Sequence, residues 1–494
     1  MKNIINAEPK VVWRYFEEIC QIPRPSGKEQ KIIEYLMEFG KKHNLETKKD
    51  LAGNLLITKP AHPDREKAKP VCLQSHMDMV CEKNSTINHN FNTDPIKIVV
   101  DGEWIKADGT TLGADNGIGI AAQLTILENK DIRHGPLECL FTVDEEVGLK
   151  GAFNIQPRFF NSKILINLDS EDEGELFIGS AGGINTVARL KIKTKKTPKD
   201  YKFFKIMISG LAGGHSGGDI HKGRGNSIKI LNRFLWTAAQ KLKISIFRFE
   251  GGNLPNAIPR EAYVIIAIPG KNEQALKENL NQFAIAIKNE LMITEPNLKI
   301  LLKSEKSSPL VLKNKLQKKL LNSLYACPNG VIAMSKTMKE LVETSTNLAS
   351  VKFNGKDDII ITTSQRSSLE SSKTNIANVV RSVFDMVDAS VEHKYGYPGW
   401  NPNLKSEILQ VTKKSYKKLF GTTAKVKAIH AGLECGLFLT KYKDLDIISF
   451  GPTIKGAHSP DERIDIKSTV KFWDLLIDVL DNIPTVQVLQ NHPS

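Results

Sequence analysis

Four short runs constrain this chain more than any other feature: "PVCLQS" from 70, "LECLFTV" from 137, "KILINL" from 163 and "DLDIISF" from 444. Each is too short for a core helix. Each is also largely apolar at successive positions, the pattern of a strand covered on both faces. Helix patterns lie around them, "VVWRYFEEIC", "EQKIIEYLMEFGKKHN" and "NGIGIAAQLTILEN" early, "NLKSEILQVTKKSYKKLF" and "STVKFWDLLIDVLDNI" late, and "NLLITK" adds a further strand. The alternation predicts an α/β layered domain with a mostly parallel, twisted sheet.

Residues 183 to 400 have another texture. "FFKIMISGL" and "EAYVIIAIPG" read as strands of period two, and the second leads into the helix "NEQALKENLNQFAIAIKNEL". "DDIIITTSQ" followed by "SSKTNIANVVRSVFDMV" repeats that order, which suggests an internal duplication. The expected architecture is an α/β domain over 1–184 and 401–494, interrupted by an α+β insert over 185–400, with "YGYPGWNP" as the return linker. With 494 residues the chain exceeds the roughly 250 to 300 at which single cores stop growing, so two domains are expected.

Composition narrows the partners. No window supplies the roughly 18 apolar residues of a membrane span. Glu8 and Lys10 stand where a signal peptide needs its apolar segment, so the reading is a soluble cytoplasmic protein. Six cysteines without a CxxC pair argue against a disulfide framework. The net charge of +14 comes from scattered residues and from lysine runs such as "KIKTKKTPKDYK" that lack interleaved aromatics, so nucleic acid is not expected as a partner.

Chemistry collects where the strands end. "PVCLQS" runs into His76 and Asp78, "LECLFTV" into Asp144, Glu145 and Glu146, "KILINL" into Asp169, and "DIISFGPTIKGA" into His458. Asp115 sits in a glycine-flanked turn opening a helix. In open α/β sheets ligands bind beyond the carboxyl ends of strands. Singly, these residues read as caps and turn charges. Together, two imidazoles and several carboxylates at one edge form a nitrogen and oxygen donor set for zinc, cobalt or manganese, with more acids than one tetrahedral ion uses. Two ions would use them and leave one Glu free as a base. On an extended chain His76 and Asp78 share a face, so Asp78 is placed to hold one ring nitrogen while the other binds metal.

"SHMDMV", "GADNG", "TVDEEVG", "NLDSE", "GGHSGGDIH" and "AHSPDE", in this order, resemble the co-catalytic metallopeptidases of the M20 type. "NAIPREA", "YPGW" and "HAGLECGLF" are similar to stretches of the aminoacyl-histidine dipeptidases within that type, and the resemblance runs from "IPRPSGKE" to the last helix. It implies a zinc-peptidase-like catalytic domain interrupted by a lid domain. It implies two divalent ions, zinc first, with His76 and Asp169 on one, Glu146 and His458 on the other, and Asp115 bridging. Asp78 would orient His76, and Glu145 would be the general base that moves the water proton to the leaving amine. The peptide bond after Asp115 is cis in that family. His215 of the lid would stabilise the oxyanion, often in a partner subunit, and a homodimer through the insert is expected. Substrates would be unblocked dipeptides, Xaa-His among them.

Three further residues suit such a substrate. Arg260 with Asn256 would clamp its carboxylate, because a guanidinium matches that planar anion with two hydrogen bonds. Glu434 would accept its free amine. Tyr397 and Trp400 would either line the pocket or pack at the linker. A rival reading is a serine hydrolase, since residues 214 to 218, Gly-His-Ser-Gly-Gly, match the G-x-S-x-G elbow; that motif needs a strand, a sharp turn and an immediate helix around Ser216.

Overall fold

The computed structural model describes residues 7–486. The chain divides into two units, Met1–Gly179 with Trp400–Ala428 and Leu433–Ser494, and Ser180–Gly399 with Ile429–Gly432. The first junction thus precedes the expected 184/185 boundary. The short return of Ile429–Gly432 to the second unit carries no mark in the sequence.

The first unit is built on an eight-stranded sheet, in spatial order Glu46–Lys49, Leu55–Lys59, Leu137–Thr142, Val71–His76, Ile164–Asn167, Asp446–Ser449, Glu175–Ser180 and Lys425–Ile429. The four strands Leu137–Thr142, Val71–His76, Ile164–Asn167 and Asp446–Ser449 run parallel. Antiparallel neighbours flank them. Val71–His76 and Leu137–Thr142 are buried at every position, which is why their sequences lack alternation. Helix Lys10–Cys20 buries Val12, Trp13, Phe16 and Ile19, a stripe at helical spacing. Helix Ala114–Glu128 is buried all round from Asn116 to Leu127. Because the central strands are parallel, His76, Thr142, Asn167 and Ser449 all finish on one edge, with Glu145, Glu146 and Asp169 within a few residues of their strands' ends.

The second unit holds a nine-stranded sheet whose pairings are all antiparallel. Its expected repeat is larger than the strand and helix that suggested it. Tyr201–Ser209, Ser227–Lys241, Ser245–Gly251, Ala262–Pro269, Glu273–Leu291 and Lys299–Ser304 run strand, helix, strand, strand, helix, strand. Gly182–Lys191, Asn314–Ala326, Val342–Asn354, Asp358–Ser367, Glu370–Asp385 and Ser390–Tyr397 run the same way. Each set lays its strands side by side as fourth, first, third, second, and the two second strands, Ser245–Gly251 and Val342–Asn354, pair in the middle. The first set is spliced in after the opening strand of the other, which hides the repeat from a linear reading. Leu231, Phe234, Ile266, Leu320, Ile361 and Phe384 are among the residues of its shared core.

Candidate active site

The edge of the parallel strands brings the expected donors of the first unit together in two triplets that share one residue. His76, Asp115 and Asp169 form one and Asp115, Glu146 and His458 the other, with the donor atoms of each within 4.8 Å of one another. His76 Nε2 lies 3.0 Å from Asp115 Oδ1 and 3.3 Å from Asp169 Oδ1. His458 Nε2 lies 3.2 Å from Asp115 Oδ2 and 3.0 Å from Glu146 Oε1. Asp115 therefore turns one oxygen to each group. Glu146 Oε1 is buried and makes no hydrogen bond despite the nearby imidazole, as expected of two lone pairs aimed at a common point. Imidazole nitrogens and carboxylate oxygens in this arrangement fit a pair of divalent ions.

The electrostatics of the cluster agree. The hydrogen bond to Asp115, then the neighbouring Glu146 carboxylate, pushes the His458 ring up to about 11. Burial alone would lower His76, but Asp169, Asp115 and Asp78 raise it well above its ordinary value. Burial works to raise Asp115, yet its bonds to His458 and His76 hold it below the usual carboxylate range. Burial pushes Asp169 up to about 6 and Glu145 well above its usual value. A donor set that holds protons this way releases them to a cation, so metal affinity rises with pH.

Local backbone features aim these groups. Gly113 takes φ +72°, and Asp115 and Asn116 depart from helical angles inside the first turn of Ala114–Glu128. The Asp115–Asn116 peptide bond is cis. Glu145 and Glu146 lie beyond the strand, which stops at Thr142; Asp144 has φ +51°, and both acids sit in a turn. The cause is Asp78. Its carboxylate accepts the Glu145 N–H at 3.0 Å, the Glu146 N–H at 3.2 Å and the Ser26 hydroxyl at 2.7 Å, drawing the chain out of the sheet. His76 Nδ1 is 3.3 Å from the Asp78 carboxylate but hydrogen-bonds to its carbonyl at 3.1 Å. Asp78 thus holds the Glu145–Glu146 turn as well as the imidazole.

Glu434 lies in the same unit, 1% exposed. Its Oε2 accepts from Gln74 Nε2 at 2.6 Å and Thr142 Oγ1 at 2.8 Å, while Oε1 is buried without a partner. Burial pushes its carboxyl up to about 8. Trp400 is buried in this unit. Glu171 escaped the sequence reading; burial, then Asp115 and Asp169, raise it to about 8.

In the second unit His215 Nδ1 accepts the N–H groups of Gly217 at 3.3 Å and Gly218 at 3.1 Å. The ring proton of the neutral imidazole therefore sits on Nε2. Burial, then the Arg366 guanidinium, lowers this ring to about 4, so it stays neutral and donating at physiological pH. Arg366 is a second residue that sequence reasoning missed. It is 6% exposed, donates to the Tyr397 hydroxyl at 2.7 Å and lies 3.4 Å from His215 Nε2, and no carboxylate pairs with it among the described residues. A charged residue inside the strand "DIIITTSQRS" was its one signal. Arg260 and Asn256 are exposed, and Arg260 Nε donates to the Leu211 carbonyl at 3.2 Å. Ser216 is buried, its Oγ faces Arg366 Nε at 3.4 Å, and the next helix starts only at Ser227. The nucleophile elbow is absent there.

His430, also in this unit, hydrogen-bonds to Ser345 Oγ at 2.7 Å through Nε2 and leaves Nδ1 buried without a partner. Burial, then Arg366 and His215, depress its ring to about 3 from 6.5. The folded state thus disfavours protonation. Its contribution is fully present above about pH 6.5 and is lost as pH falls toward about 3. At pH 5 this amounts to roughly 2 kcal/mol. Urea unfolding at pH 7 and pH 5 should show a stability loss about that much smaller in His430→Asn than in the native chain.

The model of peptidase family M20/M25/M40 matches residues 72–482, and the chain belongs to that family. More particularly, it is 42% identical to the cytosol non-specific dipeptidase of Escherichia coli over 484 residues, 98% of this chain and 100% of the relative. The crystal structure of aminoacylhistidine dipeptidase from Vibrio alginolyticus matches with a TM-score of 0.89 at 40% identity, covering 98% of this chain and 99% of that one. A tripeptidase from Staphylococcus aureus, at 17% identity and a TM-score of 0.57 over 97% of this chain and 99% of its own, shares the fold. Among the described residues no helix is long and apolar enough to cross a membrane.

Proposed function

We propose that the chain is a cytoplasmic metallodipeptidase that hydrolyses the peptide bond of unblocked dipeptides, Xaa-His among them. The observation that carries this reading is the pair of donor triplets meeting at Asp115 with Glu145 beside them. The names of the two full-length relatives support the substrate class. His76 and Asp169 would hold one divalent ion, Glu146 and His458 the other, and Asp115 both, with zinc the first choice and cobalt or manganese the alternatives. Bound there, the ions would supply Lewis acidity and bring the pKa of a water down to roughly 7. Glu145 takes the proton of the attacking water and returns it to the leaving amine. Asp78 fixes the backbone of Glu145 and the His76 ring.

The second unit supplies a neutral donor at His215 and a buried cation at Arg366, the kinds of group that an oxyanion and a free carboxylate require. Arg366 has the stronger claim to the carboxylate, with Arg260 and Asn256 as exposed auxiliaries. Glu434, with one oxygen unpaired, is the acceptor for the free amine. Arg366→Ala is expected to raise KM for dipeptides roughly 10- to 100-fold, the loss of a charge-assisted pair of about 1.5–3 kcal/mol. Steady-state kinetics on Ala-His reads it. A homodimer is part of the same proposal and is read by sedimentation equilibrium.

The deciding experiment is hydrolysis of Ala-His, β-Ala-His, Leu-Gly, a tripeptide and N-acetyl-His before and after chelation and after restoring zinc or manganese. Dipeptide cleavage lost on stripping and regained with metal supports the proposal. Cleavage of the acetylated substrate alone would make the protein a deacylase, and activity indifferent to demonstrated metal removal would overturn the two-metal reading.

A further inference from the structure

Two buried charges of the first unit are left without a task by the proposed chemistry. Arg24 and Glu462 are each 2% exposed, and no direct ion pair joins them among the described residues. They meet instead across one peptide. Glu462 Oε2 accepts the N–H of Leu112 at 2.7 Å and of Gly113 at 2.9 Å, and its Oε1 accepts the N–H of Ala114 at 2.8 Å and of Asp115 at 3.3 Å. Arg24 Nη2 donates to the carbonyl of the same Gly113. Its Nη1 donates to the carbonyls of Met77 at 3.0 Å and Asp78 at 2.8 Å.

These contacts converge on segments that carry ligands. The Asp78 carbonyl that Arg24 grips also accepts the bond from His76 Nδ1, which leaves Nε2 facing Asp115 and Asp169. Glu462 closes the turn that directly follows His458, its own N–H bonding to the Ser459 carbonyl at 3.0 Å. Gly113 is hemmed in between: a Cβ there would lie 2.6 Å from an Arg24 guanidinium nitrogen and 2.8 Å from Met79 Sδ. One carboxylate and one guanidinium thus span the segments bearing His76, Asp115 and His458.

We infer that Arg24 and Glu462 are positioning residues, a paired backbone clamp that sets Asp115 and His76 in ligand geometry before any ion binds. The inference rests on the two-metal reading above. A charged acceptor sharing four N–H groups and a charged donor sharing three carbonyls form strong hydrogen bonds in a buried setting. They fix the main chain, so the ligand side chains start from a single arrangement.

The test compares native protein with Glu462→Gln, Arg24→Lys and a control, Glu138→Gln. Glu138 is likewise a buried carboxylate accepting backbone N–H groups, those of Asn161 and Ser162, at the far end of its strand. Each protein is stripped, titrated with Zn2+ against a chromophoric chelator, and followed by hydrogen exchange without metal. The clamp predicts slow exchange at Leu112–Asp115 in the metal-free native protein. It also predicts a 10- to 100-fold loss of zinc affinity in Glu462→Gln and Arg24→Lys, with Glu138→Gln at the native value even if equally destabilised. Native affinity in both clamp variants, or rapid exchange at Leu112–Asp115 in the metal-free native protein, overturns the clamp. If Glu462→Gln does not fold, Arg24→Lys and the native exchange decide. Should the native protein itself bind no zinc, the two-metal reading fails, an outcome distinct from native-like binding by the variants.

Discussion

Glu145→Gln keeps the full complement of metal and loses turnover, with kcat down on the order of 10⁴, the upper end of what a positioned general base contributes. The amide preserves the side-chain volume and removes the lone pair that takes the proton. Glu145 belongs to neither of the two triplets that share Asp115, although its oxygen comes within 4.8 Å of the donors of His76 and Glu146. Elemental analysis of the purified variant checks the metal, and initial rates on Ala-His check the turnover. A variant that loses metal and activity together would make Glu145 a ligand and leave the reaction without a base.

Asp115→Ala gives the opposite pairing, loss of activity because metal is lost. Both imidazoles of the site contact this one carboxylate, at 3.0 Å and 3.2 Å, so its removal disturbs both triplets at once. The fall in zinc affinity should exceed the 10- to 100-fold that follows loss of a group behind a ligand. Equilibrium dialysis against zinc measures it. Retention of two tightly bound ions would remove Asp115 from the bridging role. Read side by side, the two variants separate a group that moves protons from a group that holds cations.

His76, Glu145, Glu146 and Asp169 were legible because each ends or closely follows a strand that the sequence marks clearly, and parallel strands must end on a common edge. Asp115 was marked instead by a glycine-flanked turn at a helix start. The turn at Glu145 and Glu146 was hidden, since it depends on Asp78 reaching across from another strand. Arg366 was missed for a related cause: its environment of Tyr397, Ser216 and His215 is assembled from distant segments. Arg24 and Glu462 stand within quoted motifs, yet every contact that gives them meaning is to backbone, which leaves no complementary side chain to find.

The sequence by itself determined the α/β class of the outer segments, the inserted α+β unit and the candidate ligands at the strand ends, because hydrophobic period and strand-end chemistry are local. Only the tertiary structure decided the nested duplication, the angle of each carboxylate and the neutral, Nε2-protonated form of His215, because each is set by hydrogen bonds between groups that the chain brings together only on folding.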